Sequence, residues 1–178
     1  MARIKPNPTP DVKSQELLAG VKKMLGSTPN IFTTLAHSPA ALGFFVGALA
    51  AMANSKLSGG LREQIALTVA GVNGCDYCAS AHTTLGKMNK VAEAELAQNL
   101  LSRSSDARTQ AALTFARKIV EARGHVSDAD VQDVRKAGYD DGQIVDMIAV
   151  VGVNIFTNYF NHVAGTEIDF PLVTAAAV

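Results

Sequence analysis

The sequence lacks an excess of charge of either sign. Its 16 Lys and Arg balance 16 Asp and Glu over 178 residues, so it shows no electrostatic footprint for nucleic acid or an anionic membrane. It also lacks the polar bias of a disordered chain. Hydrophobic residues make up 48% and charged residues only 18%, enough apolar material to bury a core at this length. The first stretch, MARIKPNPTPDVKSQ, has no apolar h-region, and no signal peptide is expected. Residues 38–55 are small and apolar but short for a bilayer, which takes about 20 apolar residues. Residues 147–166 are interrupted by Asn154, Asn158, Asn161 and His162. Both stretches read as buried core helices, with no membrane partner, and the expected location is the cytoplasm.

Strand patterning, internal repeats and low-complexity tracts are missing as well. What is there has helical period and helix punctuation. Val12, Leu17, Leu18, Val21 and Leu25 form one stripe, and Gly26 to Asn30 breaks it. Ser38-Pro39 predicts a second helix to about Ala53, with Ser38 as N-cap and Pro39 in the first turn. Ser58 caps a third, carrying Leu61, Ile65, Leu67 and Val69, that Gly71 and Asn73-Gly74 end. A short helix from Gly74 or Cys75 to Lys87 follows, then helices over 90–101, 105–123, 127–137 and 140–164. Gly124 and Gly138 terminate two of these, and Ser127-Asp128 and Asp140-Asp141 start two. The tail EIDFPLVTAAAV is expected to pack through Ile168, Phe170 and Leu172. The expectation is an all-α bundle of about seven or eight helices, one domain over 1–178 with its core at about 15–172.

Cysteine is scarce: Cys75 and Cys78 are the only two, and both stand in GVNGCDYCASAH with His82 four residues on. At about 100° per residue, Cys75, Cys78 and His82 share one helix face. Three readings compete. As a redox pair, Cys75 gains from the helix start and Cys78 from His82 one turn away. Either device lowers a thiol pKa, and the spacing permits a disulfide. As a zinc site, the stretch supplies three ligands where four are needed, leaving the fourth to His37, His125, His162 or a carboxylate. As core residues, two cysteines need no chemistry, since Cys is often buried. No βαβ pattern supports a thioredoxin-like site. Glu63, in the preceding helix, is placed by an Asn73-Gly74 hairpin to orient His82 and take a proton from a thiol, or it is simply a surface acid.

Glu63, eleven intervening residues and then Cys75-x-x-Cys78-x-x-x-His82 resembles the E-x11-CxxCxxxH signature of the AhpD-like alkylhydroperoxidase family, within the carboxymuconolactone decarboxylase superfamily. Pro29-Asn30-Ile31-Phe32, His37-Ser38-Pro39, Arg62-Glu63 in LREQIAL and Ile168-Asp169-Phe170-Pro171 are similar to the branch of peroxidase-related proteins, so the resemblance runs from about residue 15 to 172. It implies a thiol-dependent peroxidase in which Cys78 is the peroxidatic thiolate and Cys75 resolves the sulfenic acid as a disulfide and meets an external dithiol reductant. Glu63 and His82 relay the proton. It implies no haem, flavin or metal, an all-helical fold, and a homo-oligomer, trimer or hexamer, with the site near a subunit interface. One position departs. The best-characterised members carry His directly before the second Cys, where this chain has Tyr77 as a possible relay substitute. Tyrosine, with a pKa of about 10, is a poor shuttle at neutral pH. Two other functions stand beside the peroxidase: a non-redox decarboxylase-like lyase and a redox-sensing module without turnover. The decarboxylase branch does not depend on a CxxC pair, so both thiols favour the redox branch.

Asn154, Asn158 and His162, at i, i+4 and i+8, either line a polar pocket or are hydrogen-bonded core side chains. Phe44, Phe45, Phe156 and Phe160 either wall an apolar cleft or are plain core. His125 reads as a solvated helix-end histidine.

Overall fold

Local punctuation places most helix ends. The computed structural model describes residues 2–175, and among these there are nine helices and no strand: α1 (Val12–Leu25), α2 (Asn30–Leu35), α3 (Pro39–Ala53), α4 (Gly59–Asn73), α5 (Asp76–Met88), α6 (Glu93–Asn99), α7 (Ala107–Glu121), α8 (Asp128–Lys136) and α9 (Asp141–Ala164). Ser38, Ser58 and Ser127 cap α3, α4 and α8 by accepting from Ala41, Leu61 and Asp130 N–H groups. Asp140 caps α9 within a capping box closed by Gln143.

The helix beyond the expected count is α2. It begins after Pro29, which offers no side-chain cap. Its first N–H, that of Asn30, instead donates to Asp169 Oδ2 at 2.8 Å, from 139 residues downstream. A cap supplied from so far along the chain leaves no local signal.

α4 is the hub and packs against α5, α9, α7 and α6. Every residue from Gln64 to Gly71 is buried, the all-round burial of a central helix. Leu67 and Ala70 join a core with α2, α3 and the start of α5. Ile65 and Val69 join a second core with α7, α8 and the first half of α9.

Three expectations change. Gly71 does not end α4. It lies inside the helix under the Leu100 carbonyl, where a Cβ would collide with that oxygen, so its smallness lets α6 approach. Gly74 makes the stop, in the left-handed region at φ 64°. Val12 leaves the α1 stripe and is exposed, because α1 packs through Leu17, Leu18, Val21 and Leu25. In the tail, Phe170 packs on the core, but Ile168 and Leu172 are exposed. Val173 and Ala175 join Phe170 on the core, and their backbones are held as well: Val173 N–H donates to Ser80 Oγ at 2.9 Å and Ala175 N–H to Asp76 Oδ1 at 2.8 Å.

Among the described residues α9 is the one helix long and apolar enough to cross a membrane. It packs in this fold against α4, α7, α3 and α5. Its buried face carries Asn154, Thr157, Asn158 and Asn161.

Candidate active site

The site is built on the α4–α5 hairpin. Gly74 turns the chain and Cys75 N–H donates to Ala70 O at 2.9 Å. This makes Cys75 the N-cap of α5 and Cys78 its third residue. Both thiols are free and buried, Cys75 at 1% and Cys78 at 3% exposure.

The two thiols are unequal. Their mutual interaction is the largest influence on each, holding the Cys75 pKa far above the thiol range and lowering that of Cys78. Burial opposes the lowering at Cys78, and Asn161, Asn158 and Thr157 add to it. Asn161 Nδ2 donates to the Cys78 sulfur at 3.2 Å. The expectation that the helix start favours Cys75 is reversed: the lowered thiol is Cys78, on the first turn, where Asn161 also donates to it.

Glu63 and His82 meet, with His82 Nδ1 2.7 Å from Glu63 Oε2 and both side chains about one-fifth exposed, at 20% and 17%. The α4–α5 hairpin brings them together from 19 residues apart. His82 makes no hydrogen bond to either thiol among the described residues, and Cys78 takes its polar contacts from α9 instead.

Tyr77 lines the same cavity as the proton pair, but its hydroxyl is engaged elsewhere. Its hydroxyl donates to Asp169 Oδ1 at 2.9 Å and accepts from Ile31 N–H at 3.1 Å. Phe170 packs edge-on against its ring at 5.8 Å between centroids. Burial, first, and the neighbouring Asp169 push its pKa well above the usual phenol range. This geometry ties the tail and α2 to α5 and offers no proton to Cys78.

Cys78, His82, Glu63, Thr157 and Asn161 open on one cavity of about 480 Å³. Its walls are otherwise mainly apolar, from Leu25, Phe32, Phe45, Leu49, Leu85 and Phe170. Cys75 does not line it. A second hollow of about 470 Å³ beside Lys56 and Asp146 is shallow and holds no thiol or imidazole.

The remaining sequence candidates fall elsewhere. His37 contacts the Lys5 carbonyl at 3.0 Å, and His125 and His162 are exposed. Among the described residues no three His, Cys, Asp or Glu side chains converge as a metal site would need. Of the α9 trio, Asn154 and Asn158 are buried and His162 is not. Of the phenylalanines, Phe45 lines the cavity, Phe156 and Phe160 pack on the core, and Phe44 is exposed. Sequence reading passed over Asn161 as a thiol contact. The available signal was its place at i+7 from Asn154, on the same buried face.

A model of the carboxymuconolactone decarboxylase family matches residues 39–122, a span holding Glu63, both thiols and His82. No curated protein matches the sequence. Among solved structures, the chain is similar to an uncharacterised peroxidase-related protein with an alkylhydroperoxidase AhpD core from Ralstonia eutropha JMP134, at 26% identity, a TM-score of 0.82 and 93% coverage of both chains. A peroxidase-related protein from Silicibacter sp. TM1040 shares 23% identity, with a TM-score of 0.81 over 98% of this chain and 96% of that one. The debrominase Bmp8, solved as a cysteine-to-alanine variant with 2,3,4-tribromopyrrole, shares the fold at 19% identity, with a TM-score of 0.80 over 94% of this chain and 91% of its own. The family match over the Glu–Cys–Cys–His span and the shared all-helical fold support an AhpD-like member of the carboxymuconolactone decarboxylase superfamily.

Proposed function

We propose that the chain is a dithiol peroxidase acting on organic hydroperoxides. The observation that carries this is the Cys78 sulfur, favoured as an anion and lining an apolar cavity that also holds the Glu63–His82 pair. The Cys78 thiolate attacks the terminal oxygen of ROOH. An S–O bond forms, the O–O bond breaks, and RO⁻ leaves and takes a proton from the Glu63–His82 pair. The products are Cys78 sulfenic acid and an alcohol. The Cys75 sulfur, having given up its proton, displaces hydroxide from the sulfenic acid. Water and a Cys75–Cys78 disulfide result, and an external dithiol reduces the disulfide while being oxidised to its own disulfide. Displacement is easiest when the reductant attacks Cys75, because the more acidic Cys78 then leaves.

The apolar cavity suits an alkyl or aryl hydroperoxide over hydrogen peroxide. Exposed Phe44 on α3, with Val145, Ile148, Tyr159 and Val163 on α9, supports a homo-oligomer, and the reading places it in the cytoplasm with no nucleic-acid or membrane partner. The test is consumption of cumene hydroperoxide with dithiothreitol as reductant. Turnover that disappears in Cys78→Ser is expected, and equal turnover in that variant overturns the proposal. Turnover of a lactone acid by a protein with both cysteines changed to Ser would favour the lyase. A reversible disulfide without peroxide consumption would favour the sensor.

A further inference from the structure

The face that α9 turns toward the dithiol carries more hydrogen-bonding capacity than the thiol state uses. Asn158 is fully buried. Its Oδ1 accepts from Asn73 Nδ2 at 3.0 Å, while its own Nδ2 has no partner. It stands on the same buried face of α9 as Asn161, whose Nδ2 reaches the Cys78 sulfur, and it is among the side chains that lower the Cys78 pKa. A buried amide group without a partner is uncommon in native proteins and calls for a reason. A thiol is a weak acceptor and a thiolate a far stronger one. The Nδ2 that Cys78 leaves unpaired as a thiol has a partner once Cys78 ionises.

We infer that Asn73, Asn158 and Asn161 form an amide relay that holds Cys78 as an anion: Asn161 and Asn158 turn Nδ2 donors toward the sulfur, and Asn73 fixes the orientation of Asn158. The inference rests on Cys78 as the nucleophile of the proposed peroxidase. Asn73 matters because an amide can rotate. With Asn158 reversed, its carbonyl oxygen would face the sulfur anion and its NH2 would meet the NH2 of Asn73. The donation from Asn73 to Asn158 Oδ1 disfavours that rotamer. The titratable and charged groups around Cys78 are Cys75 and Tyr77 on its own hairpin and Arg62, Glu63, His82 and Asp169 at the cavity. The relay differs from the titratable ones in carrying no proton that changes with pH. Asn161 is the nearer donor and Asn158 the reserve, and Asn73 is a positioning residue acting through Asn158.

The test is the pH dependence of Cys78 alkylation by iodoacetamide in the full chain, read on the Cys78 peptide by mass spectrometry. Asn158→Leu and Asn161→Leu are each expected to raise the midpoint by about one unit, leaving about tenfold less thiolate below both midpoints. Asn73→Ala should shift it the same way by less. Asn158→Asp, which sets a carboxylate beside the sulfur, should shift it furthest. An unmoved midpoint in folded Asn158→Leu overturns the relay. Should that variant fail to fold, the partly buried Asn73 decides, and an unmoved midpoint in Asn73→Ala overturns it. No peroxide enters the assay. Shifted midpoints in a protein that consumes no hydroperoxide would therefore uphold the relay and refute the peroxidase. Unmoved midpoints in an active peroxidase would do the reverse.

Discussion

The two sides of Cys78 differ in kind. On the α9 side stand Asn158 and Asn161, buried amides with fixed protons. On the α4 side stand Glu63 and His82, a titratable pair with access to the cavity. In the proposed mechanism the first side favours a negative sulfur and the second supplies a movable proton, so stabilising the anion and delivering the proton fall to different helices. A single histidine bonded to the sulfur would have to do both, and its own protonation would then change the nucleophile. The separation also explains how His82 can pair with Glu63 and still leave Cys78 well supplied with donors.

Removing the sulfur common to both sides should have the largest effect: Cys78→Ser is expected to bring hydroperoxide turnover to the uncatalysed rate. Next comes the titratable side. His82→Ala or Glu63→Gln is expected to lower kcat/KM by about 10²-fold or more, the usual scale of general acid–base catalysis, with the Cys78 alkylation midpoint moved less than by the α9 variants. Equal midpoint shifts from both sides would dissolve the comparison. The sign of the pH dependence follows from the lowered Cys78 pKa. Reaction with iodoacetamide should hold below the ordinary thiol value of 9.0 and fall only as pH drops through the depressed value. The ionised thiol also contributes stability, fully present above the open-chain value and lost as pH falls through the folded one. A midpoint at or above 9 would contradict the site geometry. The smallest effect is expected from Tyr77→Phe, which keeps the ring and loses the Asp169 bond. It should cost about 1 kcal/mol of stability by denaturant titration and leave the alkylation midpoint in place. A Tyr77 relay would instead require a large fall in kcat.

What the sequence made legible was local. The caps at Ser38, Ser58, Ser127 and Asp140 act within three residues, so spacing exposes them. Glu63 and His82 were legible because a tight Asn73-Gly74 turn joins their helices. The illegible features depend on distant partners. The start of α2 is capped by Asp169, the need for Gly71 lies in the Leu100 carbonyl, and the donors to Cys78 come from 83 residues downstream. Helical geometry put His82 near Cys78 but could not reveal that the sulfur's donor would come from α9. The dipole pointed to Cys75 at the helix start, whereas the lowered thiol is Cys78 on the first turn.

The Tyr77 hydroxyl joins three parts of the chain: α5, the α2 backbone at Ile31 and the tail at Asp169. An alignment of the family is expected to show positions 77 and 169 covarying. Lineages with tyrosine should retain an acid partner in the tail, and lineages with histidine are released from it. Through Tyr77, Asp169 and Phe170 make the C-terminal tail part of the wall of the cavity.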